Sequence, residues 1–166
     1  PFERVEDYLK KQRNWIDGVC ITGGEPTLHS DLPHLCSKLK EMGFLVKVDT
    51  NGTNPVMVKE LMEKGLVDYV AVDIKAPLTV EKYSKAIGVN AEKLLGKVKE
   101  TVKMLMGSKM DYELRTTVVP TLHEEEDIKE ICGGVKGCRK YVLQKFDVSL
   151  GKTTIDPDFS KLKPFT

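Results

Sequence analysis

Apolar residues recur along this chain in two alternating rhythms. Short runs, Gly18 to Thr22, Phe44 to Asp49, Asp68 to Lys75, Tyr112 to Val119 and Lys140 to Phe146, have the length and β-branched content of strands. Between them the spacing changes to that of helices. Leu32, Leu35, Cys36, Leu39 and Met42 share one face of a helix over 32–42, with His29-Ser30-Asp31 offering caps and Gly43 as its stop. Pro55 to Lys64 reads as a short helix ended by Gly65, and Thr79 to Lys85 as another. Leu94, Leu95, Val98, Val102, Leu105 and Met106 give 91–106 a broad apolar face. His123 to Ile131 is a helix that begins acidic, as the helix dipole favours. Ahead of the first strand, Val5, Tyr8, Leu9 and Ile16 are spaced for one face of a helix over 5–15. The first strand itself is expected to be short and buried.

A strand followed by a helix, repeated four times and closed by a fifth strand, predicts an α/β fold with a parallel sheet, because parallel neighbours need a crossover between them. Five strands are too few to close an eight-stranded barrel. The expected architecture is a partial (β/α) TIM-like barrel, with a core domain over 1–147. The stretch 148–166, which has Pro157 and Pro164 and few apolar residues, is expected as a C-terminal extension.

Composition narrows the function classes. The chain has 166 residues, the length of one domain, with 40% hydrophobic and 31% charged residues. A net charge of +1 gives no electrostatic case for nucleic acid or for an anionic membrane surface. No apolar run approaches the ~20 residues of a membrane span, and nothing at the amino end reads as a signal peptide, so the cytoplasm is expected. Cys20, Cys36, Cys132 and Cys138 form no CxxC pair. Reduced thiols are expected, with Cys20 and Cys36 packed as small apolar residues.

The chemistry gathers where strands end, as it does in parallel α/β arrays. The first strand runs into Gly23-Gly24-Glu25-Pro26, where two glycines permit a sharp bend and a close approach to bare peptide groups. Glu25 can accept from an ammonium, and Pro26 stiffens the exit. The second strand ends in Asp49-Thr50-Asn51-Gly52 and the third in Asp73-Ile74-Lys75. The fourth carries Arg115 with Thr116 and Thr117, then His123, and the fifth offers Gln144 and Phe146. Acids for an ammonium, cations for a carboxylate and small polar groups for ribose hydroxyls are the inventory for a zwitterion attached to a nucleoside. Plainer readings stand beside this one. Asp49 reads equally as a turn former before Asn51-Gly52, Asp73 with Lys75 as a structural ion pair, Arg115 as the partner of a structural acid, and His123 as a helix-start residue.

In the order quoted, these strand ends resemble the radical S-adenosylmethionine enzymes, and among them the activating enzymes of glycyl radical enzymes, the anaerobic ribonucleotide reductase type in particular. The likeness runs over residues 3–147, through the Gly-Gly-Glu-Pro corner, Lys47 to Gly52, Val72 to Pro77 with Tyr83, Leu114 to Pro120 with His123, and Tyr141 to Phe146. The resemblance implies that Gly23, Gly24 and Glu25 hold the amino group of S-adenosylmethionine, with Pro26 shaping the turn. It implies Asp73 and Lys75 lining the same site, Thr50 and Asn51 near the ribose, Arg115 as a carboxylate or structural partner, and Leu143 to Phe146, including Gln144, near the adenine. Asp49, Thr50 and Asp73 resemble a monovalent-cation site of some activating enzymes. The implied reaction is reductive cleavage of S-adenosylmethionine at a [4Fe–4S] cluster and hydrogen abstraction from a glycine of a partner enzyme, with flavodoxin or ferredoxin as electron donor.

The family's CxxxCxxC motif is absent from this sequence, and cluster thiolates need close spacing. The likeness begins at the family's second strand and the sequence at Pro1, so the expectation is a core fragment that holds no cluster and is inactive alone. Two rivals remain: a Schiff-base lyase using Lys75, and a non-catalytic nucleotide-binding or scaffolding module.

Overall fold

The computed structural model describes residues 2–147. The expected extension over 148–166 lies outside the described residues. Five strands, β1 (Gly18–Ile21), β2 (Leu45–Thr50), β3 (Tyr69–Asp73), β4 (Asp111–Val118) and β5 (Tyr141–Lys145), form one parallel sheet in the order β1-β2-β3-β4-β5. Helices α1 (Phe2–Lys11), α2 (Leu32–Glu41), α3 (Pro55–Glu63), α4 (Val80–Ile87), α5 (Glu92–Met106) and α6 (Glu125–Gly134) flank and connect the strands. Each strand pairs with the next along the chain, so the strand order never reverses. The crevice in which doubly wound sheets bind nucleotides does not arise, and a ligand site must lie on the rim or on a sheet face. This is the partial-barrel arrangement expected above.

The two faces of the sheet differ completely. Successive residues in a strand point to opposite sides. The register places Val46, Val48, Val70, Val72, Tyr112 and Leu114 on one face, all buried. The apolar stripes of the helices, Leu32, Cys36 and Leu39 from α2, Val58 and Leu61 from α3, and Leu95, Val98 and Leu105 from α5, join them in one core. The opposite face carries Lys47 and Asp49, Tyr69, Ala71 and Asp73, Glu113 and Arg115. Parallel sheets are ordinarily apolar on both sides; a polar face is the inward surface of a barrel-like curve.

Two expectations change. The expected α1 face holds only in part: Leu9 is buried and Phe2 and Ile16 pack against the core, while Val5 and Tyr8 are exposed. Phe2 and Leu9 of α1 and Ile16 beyond it supply the apolar contacts, and the Arg13 guanidinium stacks on core residue Phe44. β1 is also not a buried strand. It lies at the sheet edge with alternating exposed and half-buried residues, and Cys20 is exposed while Cys36 is buried. Cys20 pairs in register with Lys47, which puts it on the polar face, outside the apolar core.

Candidate functional site

Beyond Ile21 the chain turns through Gly23 (φ +93°) and Gly24 (φ +53°), both in the left-handed region that side chains disfavour. Both glycines are exposed, and a Cβ at either would meet nothing within 4 Å, so the corner is open to solvent. A short 3₁₀ turn, Pro26–Leu28, follows, and Glu25 caps it by accepting from the Thr27 amide (3.1 Å) and hydroxyl. The same carboxylate accepts from the Thr50 hydroxyl (2.7 Å) and the Asn51 amide (2.6 Å) at the end of β2. Glu25 therefore ties the first two strand ends together with its charge held at the rim. Asn54 adds a further tie by donating to the Thr27 carbonyl (2.6 Å). The Asn51 side chain closes its own turn by accepting from Thr53, and Thr50 is buried.

A second cluster crosses the polar face. Ala71 is the smallest side chain there, and over it side chains of β2 and β4 meet. Arg115 donates through Nη2 to Asp49 Oδ2 (2.9 Å) and through Nε to Asp73 Oδ1. Asp73 Oδ2 also accepts from Lys75 Nζ (2.9 Å). Lower on the same face, Glu113 is 3.3 Å from Lys47 Nζ and 2.8 Å from Lys140 Nζ. Charges shape these groups. Burial alone would raise Asp73, but Lys75 and Arg115 hold its carboxyl below the usual range. Burial likewise opposes ionisation of Arg115, and Asp73 and Asp49 outweigh it, raising the guanidinium above its ordinary value. Asp49 Oδ1 is buried without a hydrogen bond of good geometry; Lys47 Nζ, 3.3 Å away, neutralises it without a directed bond.

The remaining expected residues divide. Lys75 has a partly exposed ammonium paired to Asp73, not the apolar pocket that an amine nucleophile needs to lose its proton. Gln144 is exposed and contacts Thr117 (3.4 Å), and Phe146 is half-buried just beyond β5. Asp49 and Thr50 project to opposite faces of β2, and the cation between Asp49 and Asp73 is the Arg115 guanidinium. Arg115 thus has the structural acids of its plainer reading. His123 does not start a helix: it is buried, bonded to main-chain groups of Val119 and Lys75. Sequence reasoning also missed Ala71, whose small size admits the ion pairs, and Thr101 of α5, which donates to the Gly52 carbonyl (2.8 Å) and anchors the loop after β2.

No three His, Cys, Asp or Glu side chains gather to hold a metal ion among the described residues. Cys20, Cys36 and Cys132 lie on β1, α2 and α6, and Cys138 lies half-buried in the loop after α6. The residues present do not fit a [4Fe–4S] cluster. Among the described residues no helix is long and apolar enough to cross a membrane.

A family model for the radical SAM superfamily matches residues 1–133. A provisionally assigned glycyl-radical enzyme activating enzyme of Methanocaldococcus jannaschii is 37% identical over 149 residues, which are 89% of this chain and 61% of that protein. A second such protein from the same organism is 29% identical over 78% of this chain and 49% of its own length. The chain therefore spans about half to three-fifths of these relatives. A solved domain of pyruvate-formate lyase-activating enzyme from Bacteroides vulgatus superposes with a TM-score of 0.65 at 18% identity, covering 87% of this chain and 88% of that one.

Proposed function

The chain belongs to the radical SAM superfamily, and from that premise we propose that it forms the S-adenosylmethionine-holding core of an enzyme that activates a glycyl radical enzyme. The observation that carries the reading is the Glu25 carboxylate, fixed by Thr27, Thr50 and Asn51 beside the exposed Gly23-Gly24 corner. An ammonium docking there meets a prepositioned acceptor whose ordering has already been achieved on folding. Across the rim, Lys75 presents a partly exposed ammonium to the carboxylate of the same amino acid. Arg115, bonded to both Asp49 and Asp73, holds those acids in place. Pro26 shapes the turn, Asn51 lies toward the ribose, and Gln144 and Phe146, at the end of β5, take the adenine side.

In this family S-adenosylmethionine supplies the adenosyl group that abstracts hydrogen from the substrate. This chain's own residues bind and orient it. Because they do not fit an iron–sulfur cluster, no electron-transfer step is assigned to them. The proposed partner is a protein bearing the glycine to be activated, of the anaerobic ribonucleotide reductase type, with flavodoxin or ferredoxin as the electron donor. Similarity to the two activating-enzyme relatives supports a glycyl radical enzyme as the partner.

Titration calorimetry of this chain with S-adenosylmethionine tests the reading. Binding is expected, weakened tenfold to a hundredfold by Glu25→Ala, since a hydrogen bond to a charged group contributes about 1.5–3 kcal/mol. No binding at millimolar ligand, or equal binding by Glu25→Ala, would refute it.

A further inference from the structure

We infer that His123 is the positioning residue for Lys75, holding the rim cation in place through the main chain. The inference rests on the reading of Lys75 as a ligand-binding residue. After Asp73 the chain leaves the sheet, and its next peptide groups are each seized by a neighbour. The Ile74 amide donates to the Arg115 carbonyl (2.8 Å), and the Ile74 carbonyl accepts from the Thr116 hydroxyl (2.8 Å). The Lys75 amide faces the hydroxyl of buried Tyr83 at 3.5 Å. The Lys75 carbonyl lies 2.9 Å from His123 Nε2. That last bond is the shorter of the two main-chain contacts on Lys75, and it comes from a histidine that is 4% exposed.

The partners of His123 determine its chemical form. Nδ1 accepts from the Val119 amide at 3.0 Å, and a main-chain amide can only donate. Nε2 faces a carbonyl, which can only accept, so it carries the hydrogen. The ring is the neutral Nε2–H tautomer, with both nitrogens satisfied. It adds no charge to the rim, so any effect on an anionic ligand group must pass through the placement of Lys75.

The loop that delivers His123 is itself strained. Thr121 has φ +69°, the one positive φ outside glycine among the described residues, and it is β-branched. Such a conformation persists only where its surroundings over-determine it. Here the Leu122 and His123 amides both bond to the Val119 carbonyl (3.2 and 3.0 Å), and the imidazole closes the turn from inside. The loop after β4 is therefore shaped to set one donor against one carbonyl at the end of β3. With Lys75 Nζ bonded to Asp73 at 2.9 Å, backbone and side chain of the lysine are fixed together.

The test uses His123→Ala, His123→Gln and His123→Asn in this chain. Gln can return a donor near the Nε2 position, whereas Asn returns only an acceptor near Nδ1. Amide exchange by NMR should rise at least tenfold at Lys75 in His123→Ala with Val70 and Val72 unchanged, and His123→Gln should restore more protection than His123→Asn. Affinity for S-adenosylmethionine should fall about tenfold in His123→Ala, and should not fall further when the same change is added to Lys75→Met. Unchanged exchange at Lys75, unchanged affinity, or an equal loss in the Lys75→Met background would overturn the inference. Should the variants fail to fold, imidazole ¹⁵N shifts of the native chain decide: an Nδ1–H tautomer or an imidazolium at neutral pH overturns it, and the Nε2–H tautomer sustains it. If the native chain binds no S-adenosylmethionine, the ligand reading falls, and exchange at Lys75 alone judges the clamp.

Discussion

Replacing Arg115 by Met removes the one cation that spans both acids on the polar face while keeping a side chain of similar length. The guanidinium is 13% exposed and makes a charge-assisted bond to each of Asp49 and Asp73. Two such bonds would together contribute about 3–6 kcal/mol, and breaking a buried pair by removing one partner typically costs about 3–5 kcal/mol. Two features temper the loss. Lys47 stays 3.3 Å from Asp49 and Lys75 stays 2.9 Å from Asp73, so neither acid is abandoned. The expected destabilisation is about 3 kcal/mol, the low end of the range. For a chain of this size that lowers Tm by roughly 6–12 °C. Urea unfolding should show a lower midpoint at constant slope. Adding Asp49→Asn to Arg115→Met removes a charge that has lost one of its two cations, and the double variant should be more stable than the sum of the singles by at least about 1 kcal/mol. A loss below about 1 kcal/mol for Arg115→Met, or strict additivity in the cycle, would refute the claim that this cation holds the two acids together.

Three further outcomes follow from particular contacts. Gly52→Ala should destabilise by about 1–2 kcal/mol in urea unfolding, because Gly52 has φ +76° and the added Cβ would sit 3.1 Å from Val72 Cγ1; an unchanged midpoint would count against this. Asp68, Asp73 and Glu113 each titrate below their ordinary values, burial opposing the effect and Lys40, Lys75 with Arg115, and Lys140 with Lys47 producing it. Their contribution to stability is complete above the usual carboxylate range near pH 4 and drains away as pH falls through the depressed values, so denaturation midpoints flat from pH 5 down to pH 2 would contradict it. Cys36 is fully buried, with burial pushing its thiol up to about 11, whereas Cys20 and Cys132 are exposed. Iodoacetamide at pH 8 should therefore modify Cys20 and Cys132 well before Cys36, read by peptide mass; equal rates would refute the packing.

Much of the fold is written in residues that act locally. The run Leu45–Thr50 is flanked by Gly43 and Gly52, and Leu32–Glu41 keeps helical spacing from Leu32 to Leu39, so strand and helix positions emerge to within a few residues. The Gly23-Gly24-Glu25 corner is legible for the same reason, since left-handed glycines and a capping acid have a local signature. What escaped is set by tertiary context. Cys20 looks apolar in a run of four, yet the edge position of β1 exposes it. Val5 and Tyr8 keep helical spacing with Leu9 and still miss the core. His123 is the clearest case. Its bonds run to main-chain groups, one of them 48 residues away, and a carbonyl leaves no trace in the identity of the residue that bears it. Ala71 was equally silent, because what matters is the space it leaves above it for Arg115 and Asp49.

The strictly sequential strand order gives the sheet a gradient of local order. Interior strands β2, β3 and β4 are bonded on both sides, whereas β1 and β5 each have a single strand neighbour among the described residues. Opening an outer strand disrupts one ladder, and opening an inner one disrupts two, so amide protection should climb from the margins toward β3. The candidate site straddles that slope. Asp73 and Arg115 hang from the well-protected middle, while Gly23, Gly24 and Glu25 hang from the marginal strand β1 and are moored to β2 through the Glu25 carboxylate. A ligand gripping both parts would transfer protection outward, drawing the least secure strand into the rigid centre. Occupancy and local folding at β1 then become one equilibrium.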